Sequence, residues 1–205
     1  MDKVEIPRKS IYRLSIYQRC LQALIENDVS TVSSGALAKA AGVKPTQLRK
    51  DLTYFGQFGT RGLGYNVENL SGVITEVLGR TSPEPVILVG VGNLGAALLR
   101  YGGFRKEGFE IRAGFDLEPD RPRRVPKIHI MHQSEMVNFI KEREVKMAIL
   151  AVPPDAAQQV VNEMVAAGIQ AILNFSPTVV EVPDGVFVNA VDLAVELENL
   201  AYFVR

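Results

Sequence analysis

Three glycines follow an apolar segment in the second half of the chain, with a spacing that suits phosphate binding. Residues 85–89 are apolar and largely β-branched, which is typical of a strand buried in a parallel sheet. Residues 96–99 are strong helix formers. The six residues between the two segments are Gly90, Val91, Gly92, Asn93, Leu94 and Gly95. A glycine loop between a strand and a helix predicts a dinucleotide site with the diphosphate at the helix N-terminus.

Each glycine has a separate task in such a loop. Gly90 permits the sharp turn, Gly92 lets backbone N–H groups approach a pyrophosphate, and Gly95 lets helix and strand pack closely. Asp116 follows a second predicted strand, residues 111–115. A carboxylate there can accept both adenosine ribose hydroxyls and repels a 2′-phosphate, which favours NAD over NADP. The alternative is that Asp116 only forms a turn. Arg121, Arg123 and Arg124 follow it and could be proposed for a 2′-phosphate, but we expect them to belong to a solvated loop.

Two further strand ends add candidate ligand contacts. Parallel strands place their carboxyl ends at one edge of the sheet, where open α/β sheets bind ligands. The residues expected to line the nicotinamide ribose and ring there are Val152, Pro153, Phe175, Ser176 and Pro177. Helix-start and turn chemistry explains the same residues equally well.

The first part of the chain has the pattern of a helix-turn-helix. An amphipathic helix over residues 10–27 precedes a short helix over 35–41, with Leu37, Ala40 and Ala41 as its apolar face, and a second short helix over 45–55. The outer face of the second short helix suits base edges and phosphates of a DNA major groove. Its candidate contacts are Pro45, Thr46, Gln47, Arg49, Lys50 and Tyr54. A solvated basic surface is the alternative.

A glycine-rich segment, residues 56–65, follows the helix pair. Its composition predicts a β-hairpin or wing whose arginine enters a minor groove. The candidate DNA contacts in it are Thr60, Arg61, Gly62, Gly64 and Tyr65. A flexible linker is the alternative reading.

Composition and charge bound the classes of protein that remain. The 205 residues include 47% hydrophobic and 22% charged residues, which indicates a folded globular protein. Residues 1–82 carry a net charge of +4 and residues 83–205 carry −4, so the first part is the one expected to face a polyanion. The single cysteine, Cys20, excludes an internal disulfide, and one thiol cannot build a zinc or iron–sulfur site, so no metal is expected. Without a predicted membrane span or signal peptide, we expect a cytoplasmic protein with no membrane partner.

The pattern predicts three segments of an α/β protein. Residues 1–82 form a winged helix-turn-helix domain and residues 83–190 form a Rossmann domain, a doubly wound parallel sheet. Residues 191–205 form an amphipathic helix capped by Asp192. That helix either contacts a second copy of the chain or lies on its own sheet.

A small NAD-dependent dehydrogenase is the rival function. Hydride transfer usually needs a proton donor beside the nicotinamide, and both histidines, His129 and His132, lie in segments expected at the surface. The Rossmann segment also leaves little material for a substrate pocket. A non-enzymatic switch, in which nucleotide occupancy alters DNA affinity, therefore fits better, and no catalytic residue is assigned.

Residues 49–56, 59–65 and 90–95, together with 174–177, resemble the Rex family of bacterial redox-sensing transcriptional repressors. The resemblance runs over nearly the whole chain. It implies a homodimer that binds operator double-stranded DNA when NADH is low and leaves it when NADH binds, with NAD⁺ competing. It also implies that the terminal helix is domain-swapped and packs on the partner's N-terminal region.

The same resemblance assigns a redox relay. Arg19, Tyr101 and Asp192 of the partner chain match the family positions that respond to the nicotinamide, and Tyr101 and Asp192 are also expected to contact the cofactor. Leu193 stands where some relatives carry Phe. That departure puts an aromatic contact from the partner to the nicotinamide in question.

Overall fold

The computed structural model describes residues 6–59, 63–79, 82–125 and 128–204. It divides the chain into two compact units, Met1–Ser82 and Pro83–Arg205. Each unit has a hydrophobic core of its own.

Four helices and a two-stranded sheet form the first unit. Its elements are α1 (Arg8–Glu26), β1 (Thr31–Val32), α2 (Ser34–Ala40), α3 (Pro45–Thr53), β2 (Tyr65–Asn66) and α4 (Val67–Val77). The Ser33 side chain caps α2 by accepting a hydrogen bond from the backbone N–H of Ala36 at 3.0 Å. Pro45 occupies the first turn of α3, where a missing N–H costs nothing. The predicted helix-turn-helix is therefore present as α2 and α3.

Two details of the first unit differ from the sequence prediction. Leu37 and Ala41 are buried as predicted, but Ala38 is buried in place of Ala40, because positions 37, 38 and 41 lie on one face at helical spacing and position 40 points away from it. Among the described residues, the strand at the end of the glycine-rich segment, β2, pairs antiparallel with β1, Val32 opposite Tyr65. The predicted β-hairpin or wing thus takes its described partner strand from residues that precede α2, and its residues 60–62 lie outside the described part of the chain.

The second unit alternates strands and helices. Its elements are β3 (Glu84–Val89), α5 (Asn93–Arg100), α6 (Gly103–Lys106), β4 (Phe109–Asp116), β5 (Ile130–His132), α7 (Met136–Arg143), β6 (Met147–Leu150), α8 (Pro154–Ala167), β7 (Ala171–Asn174), β8 (Phe187–Ala190) and α9 (Leu193–Tyr202). A short 3₁₀ helix, Gln133–Glu135, precedes α7.

The strands of the second unit form one parallel sheet in the order β5-β4-β3-β6-β7-β8. This order corresponds to the doubly wound Rossmann topology, in which the chain reverses direction across the sheet between β3 and β6. Ligands bind at the carboxyl ends of the strands next to that reversal. The loop after β3, which carries the three glycines, lies there.

The last helix is unusual in that its apolar side chains are exposed. Leu193, Leu197 and Leu200 are between 60% and 68% exposed, and Phe203 just beyond the helix is 80% exposed. A soluble monomer rarely leaves such a contiguous apolar surface uncovered. The predicted helix is thus present, and within the described chain its apolar stripe is not covered.

None of the helices that the structure describes has the length and hydropathy that a membrane crossing requires.

Candidate nucleotide and nucleic-acid sites

The glycine loop has the backbone shape that the sequence predicts. Gly90 has a φ of +90°, and a Cβ atom there would lie 2.5 Å from the backbone oxygen of Ala151 on the neighbouring strand end. Gly95 packs its Cα against the carbonyl of Gly90, so a side chain would collide with backbone. Glycine is required at both positions by the fold itself.

Gly92 differs from the other two glycines. It precedes the first residue of α5, is exposed, and has no heavy atom within 4 Å of the position a Cβ would occupy. The protein therefore leaves open space at the N-terminus of α5, where free N–H groups and the helix dipole favour an anion. Asn93 and Leu94 are exposed beside it, while Val91 is buried. These residues fit a diphosphate.

Asp116 lies at the end of β4 and contacts the glycine loop directly. Its Oδ2 accepts a hydrogen bond from the Val91 N–H at 2.7 Å, and its Oδ1 accepts one from the Glu118 N–H at 2.9 Å. The carboxylate is thus fixed beside the glycine loop, at the place where an adenosine ribose lies in this topology.

Arg123 was expected in a solvated loop, and the structure contradicts this. Its side chain is 7% exposed, and its Nη2 lies 2.9 Å from Oδ1 of Asp116. The Nε donates to the Val91 carbonyl at 2.6 Å, and Nη1 donates to the carbonyls of Glu118, Pro119 and Arg121. Arg123 is buried because the backbone of residues 118–121 turns its carbonyls toward the guanidinium. The composition of the loop does not predict this backbone shape.

The carboxyl edge of β6 and β7 provides the remaining predicted contacts. Val152 is 8% exposed, Phe175 is half-buried, and Pro153 and Pro177 are exposed. The hydroxyl of Ser176 is buried and has no hydrogen-bond partner among the described residues. An orphaned buried hydroxyl at a ligand-binding edge is a group that a bound polar ligand can satisfy. The predicted residues therefore lie at one edge of the sheet with the glycine loop.

The outer face of α3 contains most of the predicted DNA contacts. Pro45, Thr46, Arg49 and Lys50 are exposed, and Arg49 Nη1 donates to the Ser34 hydroxyl at 3.0 Å. Gln47 and Tyr54 are half-buried rather than fully outward. Gln47 donates its Nε2 to Oδ1 of Asp51 at 2.9 Å, which leaves its Oε1 as an acceptor for another group.

Asp51 is a residue of α3 that sequence reasoning missed. It is fully buried, and its carboxylate accepts hydrogen bonds from Ser10, Arg13 and Tyr17 of α1. Burial opposes its ionisation, but the hydrogen bonds from Arg13, Tyr17, Gln47 and Ser10 outweigh burial and hold its pKa below the ordinary value. Burial also raises the pKa of Tyr17. Nothing in the local sequence predicts that Asp51 faces inward, because a charged residue in a basic helix is usually exposed.

The wing residues are only partly described. Thr60, Arg61 and Gly62 lie outside the described residues. Gly64 has a φ of +84° and lies against the Val32 backbone. Tyr65 was expected to face DNA, but it is 6% exposed and packs in the core of the first unit, because β2 turns this residue inward. Burial raises the pKa of its hydroxyl, and the charge of Arg49 opposes that rise.

The three predicted relay residues lie in different elements. Arg19 is exposed on α1 in the first unit. Tyr101 follows α5 in the second unit, is 59% exposed, and stacks edge-to-face on Phe104 with ring centroids 5.1 Å apart. Asp192 caps α9, since its Oδ1 accepts hydrogen bonds from the N–H groups of Ala194 and Val195. The second oxygen of that carboxylate, Oδ2, takes no part in the cap.

The two histidines and the cysteine lie in surface, cap and packing positions. His132 caps the 3₁₀ helix and shares a 2.8 Å hydrogen bond with Ser134, and His129 is exposed. Cys20 is half-buried, and burial raises the pKa of its thiol, which opposes reactivity.

Comparisons with known proteins address both units. A family model described as "CoA binding domain" matches residues 81–178, and one described as "Putative DNA-binding protein N-terminus" matches residues 5–53. The redox-sensing transcriptional repressor Rex of Syntrophobacter fumaroxidans (strain DSM 10017 / MPOB) is 48% identical over 204 residues, which cover 98% of this chain and 97% of that protein.

Solved structures agree with the sequence comparison. A crystal structure of RSP in complex with β-NAD⁺ and operator DNA has a TM-score of 0.89 and 37% identity, covering 98% of this chain and 93% of that one. RSP in complex with β-NADH has a TM-score of 0.84 and 36% identity, covering 97% and 94%.

A helix-turn-helix unit joined to a Rossmann unit with a dinucleotide loop defines the class of nucleotide-responsive transcriptional regulators. Sequence identity of 48% over nearly the full length of both chains shows that this chain and the Syntrophobacter fumaroxidans repressor belong to one family. The chain belongs to the Rex family of redox-sensing transcriptional repressors.

Proposed function

We propose that this protein is a repressor that binds operator double-stranded DNA as a homodimer when NADH is scarce and leaves it when NADH binds. The observation that supports this most directly is the combination in one chain of a glycine loop open at Gly92 with a basic helix of a helix-turn-helix unit. The solved complexes of RSP with operator DNA and with NADH support both ligands. A cytoplasmic location is part of this proposal, and the two ligands support it because DNA and the dinucleotide pool meet there.

The first unit contacts DNA through the exposed face of α3. Arg49 and Lys50 carry its positive charge, and Thr46 and Gln47 offer hydrogen-bonding groups near the start of the helix. Residues near helix starts contact base edges in helix-turn-helix complexes, and cations contact phosphates. Pro45, Tyr54 and Gly64 complete the described surface, and Thr60, Arg61 and Gly62, which lie outside the described residues, are further proposed contacts.

The second unit binds the dinucleotide across the carboxyl edge of its sheet. The diphosphate lies on the α5 N-terminus at Gly92, and the adenosine ribose lies at Asp116. Val152, Pro153, Phe175, Ser176 and Pro177 surround the nicotinamide half, where the Ser176 hydroxyl gains a partner. NAD⁺ and NADH share everything except the nicotinamide ring, so their discrimination arises at that half of the site.

The exposed apolar stripe of α9 supplies the dimer contact. Its leucines need a covering surface, and a swapped helix that packs on the partner's N-terminal unit provides one. Asp192 at the start of this helix then comes near the partner's Arg19 and Tyr101. The Asp192 carboxylate can then pair either with the guanidinium of Arg19 or with the phenol of Tyr101. The charge of the nicotinamide ring can shift the equilibrium between these two pairings.

The thermodynamic requirement is a difference in affinity between two dimer arrangements. A dimer on DNA must hold its two α3 helices about 34–36 Å apart, one turn of the double helix. NADH releases the DNA if its affinity is higher for the dimer arrangement that lacks this spacing than for the arrangement that has it. A 100-fold preference is worth about 2.7 kcal/mol per site.

A gel-shift experiment tests the proposal. The purified protein is incubated with a palindromic operator probe and NAD⁺, and NADH is then titrated in. We expect a retarded complex with NAD⁺ that disappears as NADH is added. A complex that NADH leaves unchanged would contradict the proposal.

We also propose that the chain has no catalytic activity of its own. Both histidines are accounted for by cap and surface positions, and the Ser176 hydroxyl at the nicotinamide half has no hydrogen-bonded base among the described residues. Incubation of the protein with NADH and a panel of small carbonyl compounds, followed by absorbance at the NADH band, is the check. Sustained loss of that absorbance would show an enzyme.

A further inference from the structure

The hydroxyl of Ser176 is a buried polar group without a hydrogen-bond partner. The residue is 4% exposed, and its Oγ forms no hydrogen bond with any residue that the structure describes. Such a group costs free energy on folding, because it gives up its hydrogen bonds to water and gains none in return. The fold therefore keeps at this point a hydroxyl that a bound molecule can satisfy.

Asn174 fixes the turn that carries this hydroxyl. The asparagine is 1% exposed at the end of β7, where its Oδ1 accepts a hydrogen bond from the Ser176 N–H at 2.8 Å. Its Nδ2 donates to the Thr178 carbonyl at 3.0 Å, and the Thr178 N–H donates to the Ser176 carbonyl at 2.7 Å. Both backbone groups of Ser176 thus have partners, and the hydroxyl is the polar group left over.

The turn lies on the nicotinamide side of the proposed dinucleotide site. Backbone hydrogen bonds of 2.8 Å join the ends of β3, β6 and β7, from Ala151 to Val89 and from Phe175 to Leu150. A dinucleotide in this topology extends along the carboxyl edge, from the glycine loop past the chain reversal to the strands beyond it. The polar group at the far end of the dinucleotide is the carboxamide of the nicotinamide ring.

The carboxamide oxygen differs in charge between the two redox forms. In the reduced ring the N1 lone pair is conjugated through the C2=C3 double bond with the carbonyl, which increases the negative charge on the oxygen. In the oxidised ring the positive charge of the pyridinium withdraws electrons from the same oxygen. Because a hydrogen bond strengthens with the negative charge of its acceptor, a donor at this oxygen binds NADH more strongly than NAD⁺.

We propose that the Ser176 hydroxyl donates a hydrogen bond to the carboxamide oxygen and thereby favours NADH over NAD⁺. This inference rests on the proposed dinucleotide site. Donation is the expected direction, since a buried donor without an acceptor is rarer in folded proteins than an unused acceptor lone pair. The Oγ is screened from water, so the low local dielectric strengthens this hydrogen bond. Ser176 is then a residue that determines the specificity for the reduced form.

The experiment measures the dissociation constants of NADH and NAD⁺ for the full-length protein by isothermal titration calorimetry. Ser176→Ala should weaken NADH by about threefold to tenfold, the effect of one hydrogen bond, and NAD⁺ by less than about twofold. The matched control is Thr178→Val, which removes a hydroxyl from the same turn and keeps both backbone hydrogen bonds of residue 178. Its ratio of the two dissociation constants should stay within about twofold of the unaltered protein's.

A second measurement separates ligand binding from a structural role. Without nucleotide, Ser176→Ala loses no hydrogen bond of the described structure, so its free energy of unfolding in urea should equal or exceed that of the unaltered protein. Asn174→Ala loses two hydrogen bonds and should unfold at a lower urea concentration.

Two results would overturn the inference and leave the proposed function standing. One is an equal effect of Ser176→Ala on the two redox forms, including no effect on either. The other is a loss of stability in Ser176→Ala as large as the loss in Asn174→Ala. Failure of the unaltered protein to bind NADH at all would overturn the proposed function as well.

Discussion

Arg13 and Asp51 form an ion pair inside the first unit, with Nε of the arginine 2.6 Å from Oδ2 of the aspartate. The aspartate side chain is fully buried and the arginine side chain is 20% exposed. Because Arg13 lies on α1 and Asp51 on α3, this pair fixes the helix that is proposed to read DNA against the helix that carries Arg19. The carboxylate thus adds directional contacts between α1 and α3 to the packing of Leu48 and Leu52 in the core.

Replacing that carboxylate by a neutral amide should destabilise the first unit strongly. Asp51→Asn leaves the Arg13 charge without its partner, and breaking a buried pair costs about 3–5 kcal/mol. The free energy of unfolding, measured by urea titration with circular dichroism, provides the check. Asp28→Asn, which removes an equal charge from an exposed turn, should change it by less than about 0.5 kcal/mol. Equal losses in the two variants would contradict the assigned role.

The stability that Asp51 contributes should depend on pH in one direction. Its pKa is lowered in the folded protein, so the unfolded chain takes up the proton first as pH falls. The contribution is complete above the unfolded carboxyl pKa, about 3.9, and is lost as pH falls through the lower folded value. The difference in unfolding free energy between the unaltered protein and Asp51→Asn should be equal at pH 7 and pH 5 and should shrink below about pH 4. A difference that grows on acidification would rule out the ion pair as its source.

Two glycines of the same loop should respond differently to substitution. Gly92→Val places its side chain in open space, so the fold should survive while NADH binding is lost. Gly95→Ala drives a methyl group into the Gly90 carbonyl and should destabilise the second unit by about 1–3 kcal/mol. Thermal unfolding and NADH titration of both variants separate the two effects. Retention of NADH affinity in Gly92→Val would argue against a diphosphate at this helix start.

The basic face of α3 should matter for DNA and not for the nucleotide. Arg49→Ala and Lys50→Ala should each weaken operator binding, with NADH affinity unchanged, because both side chains are exposed on the first unit. If Lys50 contacts a phosphate, its removal should also lower the slope of log affinity against log salt by about one. Fluorescence anisotropy with a labelled operator measures both quantities. Lys141→Ala, on α7 of the second unit, is the control, and an equal loss there would exclude a specific role for α3.

The apolar stripe of α9 should hold the dimer together. Leu197→Asp introduces a charge where a covering surface is expected, so the protein should elute as a monomer and lose operator affinity. Glu198→Gln alters a polar residue on the opposite face of the same helix and should leave the dimer intact. Size-exclusion chromatography with light scattering decides the matter. A dimeric Leu197→Asp protein would show that another surface carries the contact.

Periodicity and glycine spacing predicted most of the architecture. Apolar spacing and cap residues are properties of short segments, so local sequence is enough to predict an element that has them. This holds for the strand before Gly90, for the helix after it, and for α2 and α3. The placement of Gly90, Gly95 and Asp116 could be predicted for the same reason, since one loop and one neighbouring strand define it.

Contacts between distant segments could not be predicted in this way. Tyr65 faces inward because its strand pairs with residues 31–32, more than thirty positions earlier. Asp51 finds its partners on α1, and Arg123 finds Asp116 through a loop whose backbone shape no pattern of residue types specifies. All three errors concern polar side chains whose burial is decided by tertiary partners rather than by local periodicity.

The Val91 N–H that donates to Asp116 ties the phosphate loop to the neighbouring strand before any coenzyme arrives. A loop already held in its binding shape loses little conformational entropy when the ligand enters, so the adenylate half can act as a constant anchor for either redox form. Mutations that loosen this tie should therefore weaken both coenzymes alike and leave the ratio at which the repressor responds unchanged.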